Sequence, residues 1–295
     1  MVAQSVAIRT SVGLDSADLA AVRGLLARCN AHDETELLLA LKPTSSSDDN
    51  IPLYLLIRDA DALIGVAELV GYREIEGTVI IAPERRRQGL GRRLVTLAGQ
   101  ELAARELADW LLVCDEAFPG GADFSCVLGG ERAYFEHRLT LDQTLVQPTK
   151  PLPGHLTIRQ AERTDALAIV AITAEAFGDP PGEVSKWIGN DLDRTDRRWF
   201  VATNDGEPVG SLRVVNDDGG ADITAFGVLP QHQGRGYGRA ILSHTIKLLL
   251  DQGVTPINIE VETENAAALS LYRSCGFVPQ HTYGYYRVPT GAKRG

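Results

Sequence analysis

An internal repeat limits what this chain can fold into. The segment Ile81-Ala-Pro83-Glu-Arg-Arg86-Arg-Gln-Gly89-Leu-Gly91 is matched by Val228-Leu-Pro230-Gln-His-Gln233-Gly-Arg-Gly236-Tyr-Gly238, with the proline, the Arg or Gln and both glycines each displaced by 147 residues. Other landmarks follow in the same order. Val6-Ala-Ile8-Arg9 matches Leu156-Thr-Ile158-Arg159, and each precedes an amphipathic helical stretch, 18–29 and 166–177. The turn Asp59-Ala-Asp61 lies between apolar runs, as does Asn204-Asp-Gly206, so both regions read as strand hairpins. Four matches in one order imply duplication of a whole domain.

The 295 residues suit two domains of about 150 residues each. The break belongs at Pro148–Gly154, where three prolines and a glycine exclude a helix or a central strand. We therefore expect a first domain over 1–148, a linker over 149–154 and a second domain over 155–295. Each half reads as strand, helix, hairpin, longer strand, glycine motif, helix, strand, helix and final strand. In the second half Arg239–Gly253 and Ala266–Cys275 read as helices, the latter closed by Gly276. Residues 223–228, 257–263 and 283–288 read as strands, giving an α+β (α/β) fold with a mixed sheet.

Charge and cysteine usage narrow the partners. A net charge of −10 disfavours nucleic acid, which needs clustered Lys and Arg, and suits a cationic small substrate. Cys29, Cys114, Cys126 and Cys275 stand outside CxxC or Cys/His spacing, and the six histidines are scattered, so no metal is expected. The opening residues lack a basic segment followed by an apolar one, and no apolar run approaches the ~20 residues of a membrane span. A cytoplasmic protein without membrane contact, monomeric or homodimeric, is the expectation.

The glycine motif carries the chemistry. Gln233-x-x-Gly236-x-Gly238 follows an apolar strand and opens a helix, so main-chain N–H groups at a helix N-terminus face outward and favour a diphosphate. Arg235 and Arg239 add positive charge. Taken alone, the motif also fits a glycine-rich helix cap. No βαβ unit of Rossmann type surrounds it, and the Gly-Lys-Ser/Thr of a P-loop is missing.

Downstream, Asn265-Ala-Ala-Ala268-Leu-Ser-Leu271-Tyr272-Arg-Ser-Cys-Gly276-Phe277 completes a pattern that resembles the GNAT superfamily of N-acetyltransferases. That signature runs Val-x-Pro, Arg/Gln-x-x-Gly-x-Gly/Ala, then Asn-x-x-Ala-x-x-Leu-Tyr-x-x-x-Gly-Phe. The likeness is strong over 155–288 and weaker over 6–145. Its tandem layout, with the stronger copy second, is similar to that of the mycothiol synthases, which acetylate the cysteinyl amine of a sugar-inositol conjugate. The resemblance implies two tandem GNAT acyl-CoA N-acyltransferase domains, each a mixed, mostly antiparallel sheet flanked by helices. It implies transfer of acetyl from acetyl-CoA to a primary amine of a small molecule, by direct attack in the second domain. The alternatives are acetylation of a protein or peptide, or a non-catalytic acyl-CoA-binding module.

Residue by residue, the resemblance assigns expectations. Asp222, six residues before Val228, takes the place of the family's catalytic Glu. It is either the base that removes the ammonium proton or a solvated strand residue paired with Arg213. Tyr272 is the acid that protonates the departing thiolate, or a core aromatic. A strand bulge at Phe226-Gly227-Val228 frees main-chain donors for the thioester oxygen. Gln233, Gly234, Arg235, Gly236, Tyr237, Gly238 and Arg239 hold the diphosphate. Asn265 binds the pantetheine arm, caps the helix, or both. Phe177, Asp179, Glu183 and Trp187 line the acceptor pocket or form a solvated loop, with Tyr283 at its border. In the first copy Arg86, Gly89 and Gly91 persist, yet no tyrosine occupies the matching place and Ile75 stands where Asp222 would be. That copy is expected to be catalytically silent, with CoA binding left open.

Overall fold

A computed structural model describes residues 6–42, 52–71, 74–148, 151–152, 154–217 and 220–291. Lys150 and Pro153 of the expected linker lie outside them, as does Thr149. Contacts group the chain into two compact units, Met1–Glu136 with His281–Gly295, and His137–Gln280.

Along the first half of the chain the order is β1 (Ala7–Val12), α1 (Ser16–Asp33), β2 (Leu53–Asp59), β3 (Ala62–Val70), β4 (Glu76–Ile81), α2 (Leu90–Ala103), β5 (Asp109–Asp115), α3 (Pro119–Val127) and β6 (Glu131–Leu141). The second unit holds β7 (Leu156–Gln160), α4 (Ala166–Phe177), α5 (Pro181–Asp191), β8 (Arg197–Asn204), β9 (Glu207–Asp217), β10 (Gly220–Val228), α6 (Tyr237–Asp251), β11 (Ile257–Glu262) and α7 (Ala266–Ser274). The last strand is β12 (Phe277–Pro289). Both expected hairpins form: β2 pairs antiparallel with β3, and β8 with β9. Asp15 caps α1 by accepting from the Asp18 amide.

Each sheet is mainly antiparallel with one parallel pair. The first unit runs β1-β2-β3-β4-β5 and then β12; the second runs β6-β11-β10-β9-β8-β7. Parallel neighbours are β4 with β5 and β10 with β11. The final strands are exchanged between the repeats. Residues of β12 from Tyr283 to Pro289 pair with β5, and Tyr286 and Val288 enter the first core beside Trp110 and Leu112. Leu139 and Leu141 of β6 enter the second core with Ile223, Ile241 and Phe277. The compact units therefore divide at Glu136/His137, upstream of the expected linker, because burial follows the strand and not the repeat boundary.

The segment expected as acceptor pocket or solvated loop contains the helix α5. Pro181 at its first turn, Glu183 beside it and the buried pair Val184 and Ile188 at four-residue spacing make it a helix.

A buried carboxylate ties down the segment after α1. Glu68 of β3 is 3% exposed, and its two oxygens accept from the Ala40 amide at 2.8 and 3.0 Å. The Lys42 amide donates to the neighbouring Tyr54 hydroxyl at 3.1 Å. Burial pushes the Glu68 carboxyl up to about 7.

Two predictions follow from this architecture. A fragment over 155–295 lacks Leu139 and Leu141, each worth roughly 1.5–3 kcal/mol when buried. It should show no cooperative thermal transition by circular dichroism; an intact-like melt contradicts the strand exchange. The folded state holds a proton on Glu68 that the unfolded chain releases at an ordinary carboxylate pH. Stability should therefore fall as pH rises from about 5 to 7, by about 3 kcal/mol, and then level off. Glu68→Gln should flatten that slope in denaturant titrations, and an unchanged slope assigns it to another group.

Candidate active site

The second unit parts its sheet at one place. β10 and β11 pair only at Ala221↔Ile257, Asp222↔Asn258 and Ile223↔Ile259, although β10 runs on to Val228 and β11 to Glu262. On the other side of β10, the register with β9 slips between Thr224 and Gly227, and Ala225 has φ +45°. The bulge is thus Ala225 and Phe226 opposite Leu212, overlapping the expected Phe226–Val228 at its first residue. Thr224 and Ala225 turn to the same face, Ala225 packing in the cluster with Trp199 and Ile169. Phe226 and Val228 return to the opposite face with Ile223. Main-chain groups along this opened stretch are no longer used by β11.

Neighbours hold the bulge in place. A Cβ on Gly227 would sit 2.6 Å from the Ala176 methyl of α4, so only glycine lets α4 approach. Arg213 Nε donates to Thr224 Oγ1 at 2.9 Å, and its guanidinium lies over Trp187 and Trp199 at 5.3 and 5.7 Å. Asp191, 3% exposed, anchors the group by accepting from Trp199 Nε1 at 2.8 Å, from Arg213 Nη1 at 3.2 Å and from Arg197.

The glycine loop begins where β10 ends. Gln233 Nε2 donates to the Val228 carbonyl at 3.0 Å, so this side chain braces the loop against the strand. Gln233, Gly234, Arg235 and Gly236 are exposed, and the first turn of α6 has no side-chain cap. Gly236 takes φ +82° with nothing near its Cβ direction, which leaves a cradle of main-chain amides able to take a diphosphate. Tyr237 is buried, whereas Arg239 is exposed and donates to the Ser274 carbonyl at 3.3 Å. A Cβ on Gly238 would sit 3.3 Å from Leu271 and 3.7 Å from Phe226, so a glycine lets α6 lie close to α7. The loop is thereby joined to α7.

Tyr272 of α7 sits between Phe226 and Phe277, with ring centroids 6.2 and 6.3 Å away, and is 7% exposed. Burial pushes its hydroxyl up to about 12. Asn265 Oδ1 accepts from the Ala268 amide at 3.0 Å, which makes it the cap of α7. Asp222 faces away from Ile223, on the α4–α5 side of the sheet. Its Oδ1 accepts from Arg138 Nη2 at 2.7 Å. Its partner is therefore Arg138 of β6 and not the expected Arg213. Asp222 and Tyr272 flank the opened strands from opposite faces.

The residues read as acceptor-lining divide. Asp179 lines a cavity of about 390 Å³ with Ala171, Ala174, Glu175, Gly178 and Pro181. Phe177 is exposed, Glu183 is in the first turn of α5, and Trp187 is engaged in packing against Trp199 at 5.8 Å. Tyr283 belongs to the first unit, where it is 4% exposed and its hydroxyl donates to the Glu36 carbonyl at 2.7 Å.

The first unit keeps the scaffold with different side chains around it. β4 and β5 pair at Glu76↔Leu111 and Gly77↔Leu112 and then part, and Gly89 takes φ +80°. Yet β3 and β4 pair without a slip. Arg86 donates to Asp33 at 2.7 and 2.6 Å and, through Nε, to the Ile81 carbonyl at 3.1 Å, so it is committed to the protein. Gly91 packs against Phe124 as Gly238 does against Leu271, which places Ser125 where Tyr272 stands. Ser125 is fully buried and donates to the Gly121 carbonyl at 3.0 Å. Among the described residues no group of three or more His, Cys, Asp or Glu could hold a metal ion, and no helix is long and apolar enough to cross a membrane.

Comparison with known proteins agrees with this geometry. The model of the Acetyltransferase (GNAT) family matches twice, over residues 19–117 and 163–277. The mycothiol acetyltransferase of Geodermatophilus obscurus is 30% identical over 292 residues, covering 90% of this chain and 92% of the relative. That of Salinispora arenicola is 31% identical over 243 residues, covering 76% and 78%. A GCN5-related N-acetyltransferase from Sphaerobacter thermophilus has the same fold, with a TM-score of 0.77, 19% identity and 96% of each chain covered. A glycine cradle at a parted strand pair, present in both halves and matched twice by one family, makes this chain a member of the GNAT family, an acetyl-CoA-dependent acetyltransferase with two tandem copies of the fold.

Proposed function

We propose that the second unit transfers the acetyl group of acetyl-CoA to a primary amine of a small molecule by direct attack. The observation that carries this reading is the opening between β10 and β11, with Asp222 on one face and Tyr272 on the other. The amides at residues 234–238 hold the diphosphate, and the arm enters between the parted strands. The amine nitrogen attacks the thioester carbon, forming the N–C bond. A main-chain donor at the bulge takes the developing oxyanion, a contact worth about 3 kcal/mol in comparable sites. Asp222 accepts the amine proton, the C–S bond breaks, and the Tyr272 hydroxyl protonates the thiolate.

The names of the relatives point to an acceptor of the mycothiol type, so a cysteinyl sugar conjugate is the first compound to test. Asp179 in its cavity and the carboxylates Asp222 and Glu260 suit a cationic amine. The first unit serves as scaffold in this reading, because Ser125 offers no outward hydroxyl.

The test is thiol release from acetyl-CoA against a panel of small amines and N-terminal peptides. Small amines should turn over and peptides should not; the reverse result reassigns the acceptor, and none at all removes the enzyme reading. Tyr272→Phe should lower kcat by about tenfold or more with the KM for acetyl-CoA within about threefold. Since its hydroxyl is pushed up to about 12, Tyr272 keeps its proton throughout the neutral and mildly alkaline range. The wild-type rate should accordingly show no alkaline loss between about pH 7 and 10 that Tyr272→Phe abolishes.

A further inference from the structure

A guanidinium joins two carboxylates beside the opening. Arg138 Nη2 lies 2.7 Å from Asp222 Oδ1, and Arg138 Nη1 lies 2.8 Å from Glu260 Oε1. The side chains belong to three adjacent strands, β10, β11 and β6. Asp222 stands opposite Asn258, and Glu260, two residues further along β11, projects from the same face. Arg138 is the most enclosed of the three, 12% exposed against 31% and 37%. Its strand is well fixed: Leu139 and Leu141 are buried on either side of Thr140, whose hydroxyl donates to Asn258 Oδ1 at 2.8 Å.

The first unit supplies an internal control. In strand register Asp222 corresponds to Glu76, and not to the expected Ile75, because the bulge adds one residue to β10; Glu260 corresponds to Val113. Arg138 corresponds to Tyr285, which stands opposite Val113 in the first sheet. The carboxylate persists there as Glu76, but the guanidinium and the second carboxylate are missing, together with the counterpart of Tyr272. A structural ion pair would have no reason to vanish with the acid.

We infer that Arg138 is a positioning residue for acetyl transfer, holding Asp222 by one oxygen so that the other faces the incoming amine. This rests on Asp222 being the base. A lone aspartate beside Glu260 would rotate away from the like charge. A planar fork that grips both carboxylates blocks that rotation while leaving Oδ2 available. Because Arg138 comes from β6, the site of the second copy is completed by a strand that the repeat assigns to the first.

Steady-state kinetics on the full chain test this, using whichever amine turns over. Arg138→Ala should lower kcat by about tenfold or more, with both KM values within about threefold, and sub-denaturing guanidinium should restore part of the rate. Combining it with Asp222→Asn should add little beyond Asp222→Asn alone. Should the alanine variant lose its thermal transition, Arg138→Lys keeps a charge without the fork and should melt like wild type while losing kcat. Unchanged kcat in Arg138→Lys, no guanidinium rescue, or full additivity with Asp222→Asn overturns the inference. An active Asp222→Asn overturns the base reading itself; a slow Asp222→Asn with a fast Arg138→Ala overturns only the role of Arg138.

Discussion

The site depends on a parallel strand pair that stops pairing partway along. Beyond Ile223 and Ile259, β10 and β11 give up their shared hydrogen bonds while both strands continue. A buried, unpaired main-chain group costs about 1–3 kcal/mol, so a parted sheet needs compensation. It comes from three directions: α4 presses Ala176 against Gly227, Arg213 holds Thr224, and Phe226 stacks on Tyr272. The bulge with Ala225 at φ +45° absorbs the change of direction. The freed groups are the ones the proposed function gives to the thioester arm.

The two copies show how little of this the fold alone supplies. Both have the parted pair and the left-handed glycine at the helix start. Only the second has the slip in register, a tyrosine on the last helix beside the opened strand, and the charged trio of Asp222, Arg138 and Glu260. In the first, Arg86 is drawn to Asp33 and Ser125 turns inward. The scaffold is kept while the side chains around it differ, and function resides in side chains grafted on a common fold.

Much of the architecture is legible because it follows from local rules. The helices of 166–177 and 266–274, the two hairpins and the glycine cradle all carry turn residues or apolar spacing that name them. Asp222 and Tyr272 fall at motif positions, and the structure sets them about the same opening. The exchange of β6 and β12 is invisible to such reading, because strand partners far apart in sequence are chosen by burial of Leu139, Leu141, Tyr286 and Val288. Arg138 is missed for the same reason, as it lies in the half read as silent. The bulge is legible from Gly227, although its start at Ala225 is not, since alanine is not a residue type that signals positive φ. Helix α5 carries its own signals in Pro181, Glu183, Val184 and Ile188, a stretch too short for its apolar spacing to stand out.

Amide hydrogen exchange of the full chain with and without CoA tests the slot most directly. Protection should appear at the amides of residues 226–228 and 234–239 in the second unit. Binding that leaves those amides unchanged and protects others would contradict the claim that the parted strands and the glycine cradle form one cofactor site.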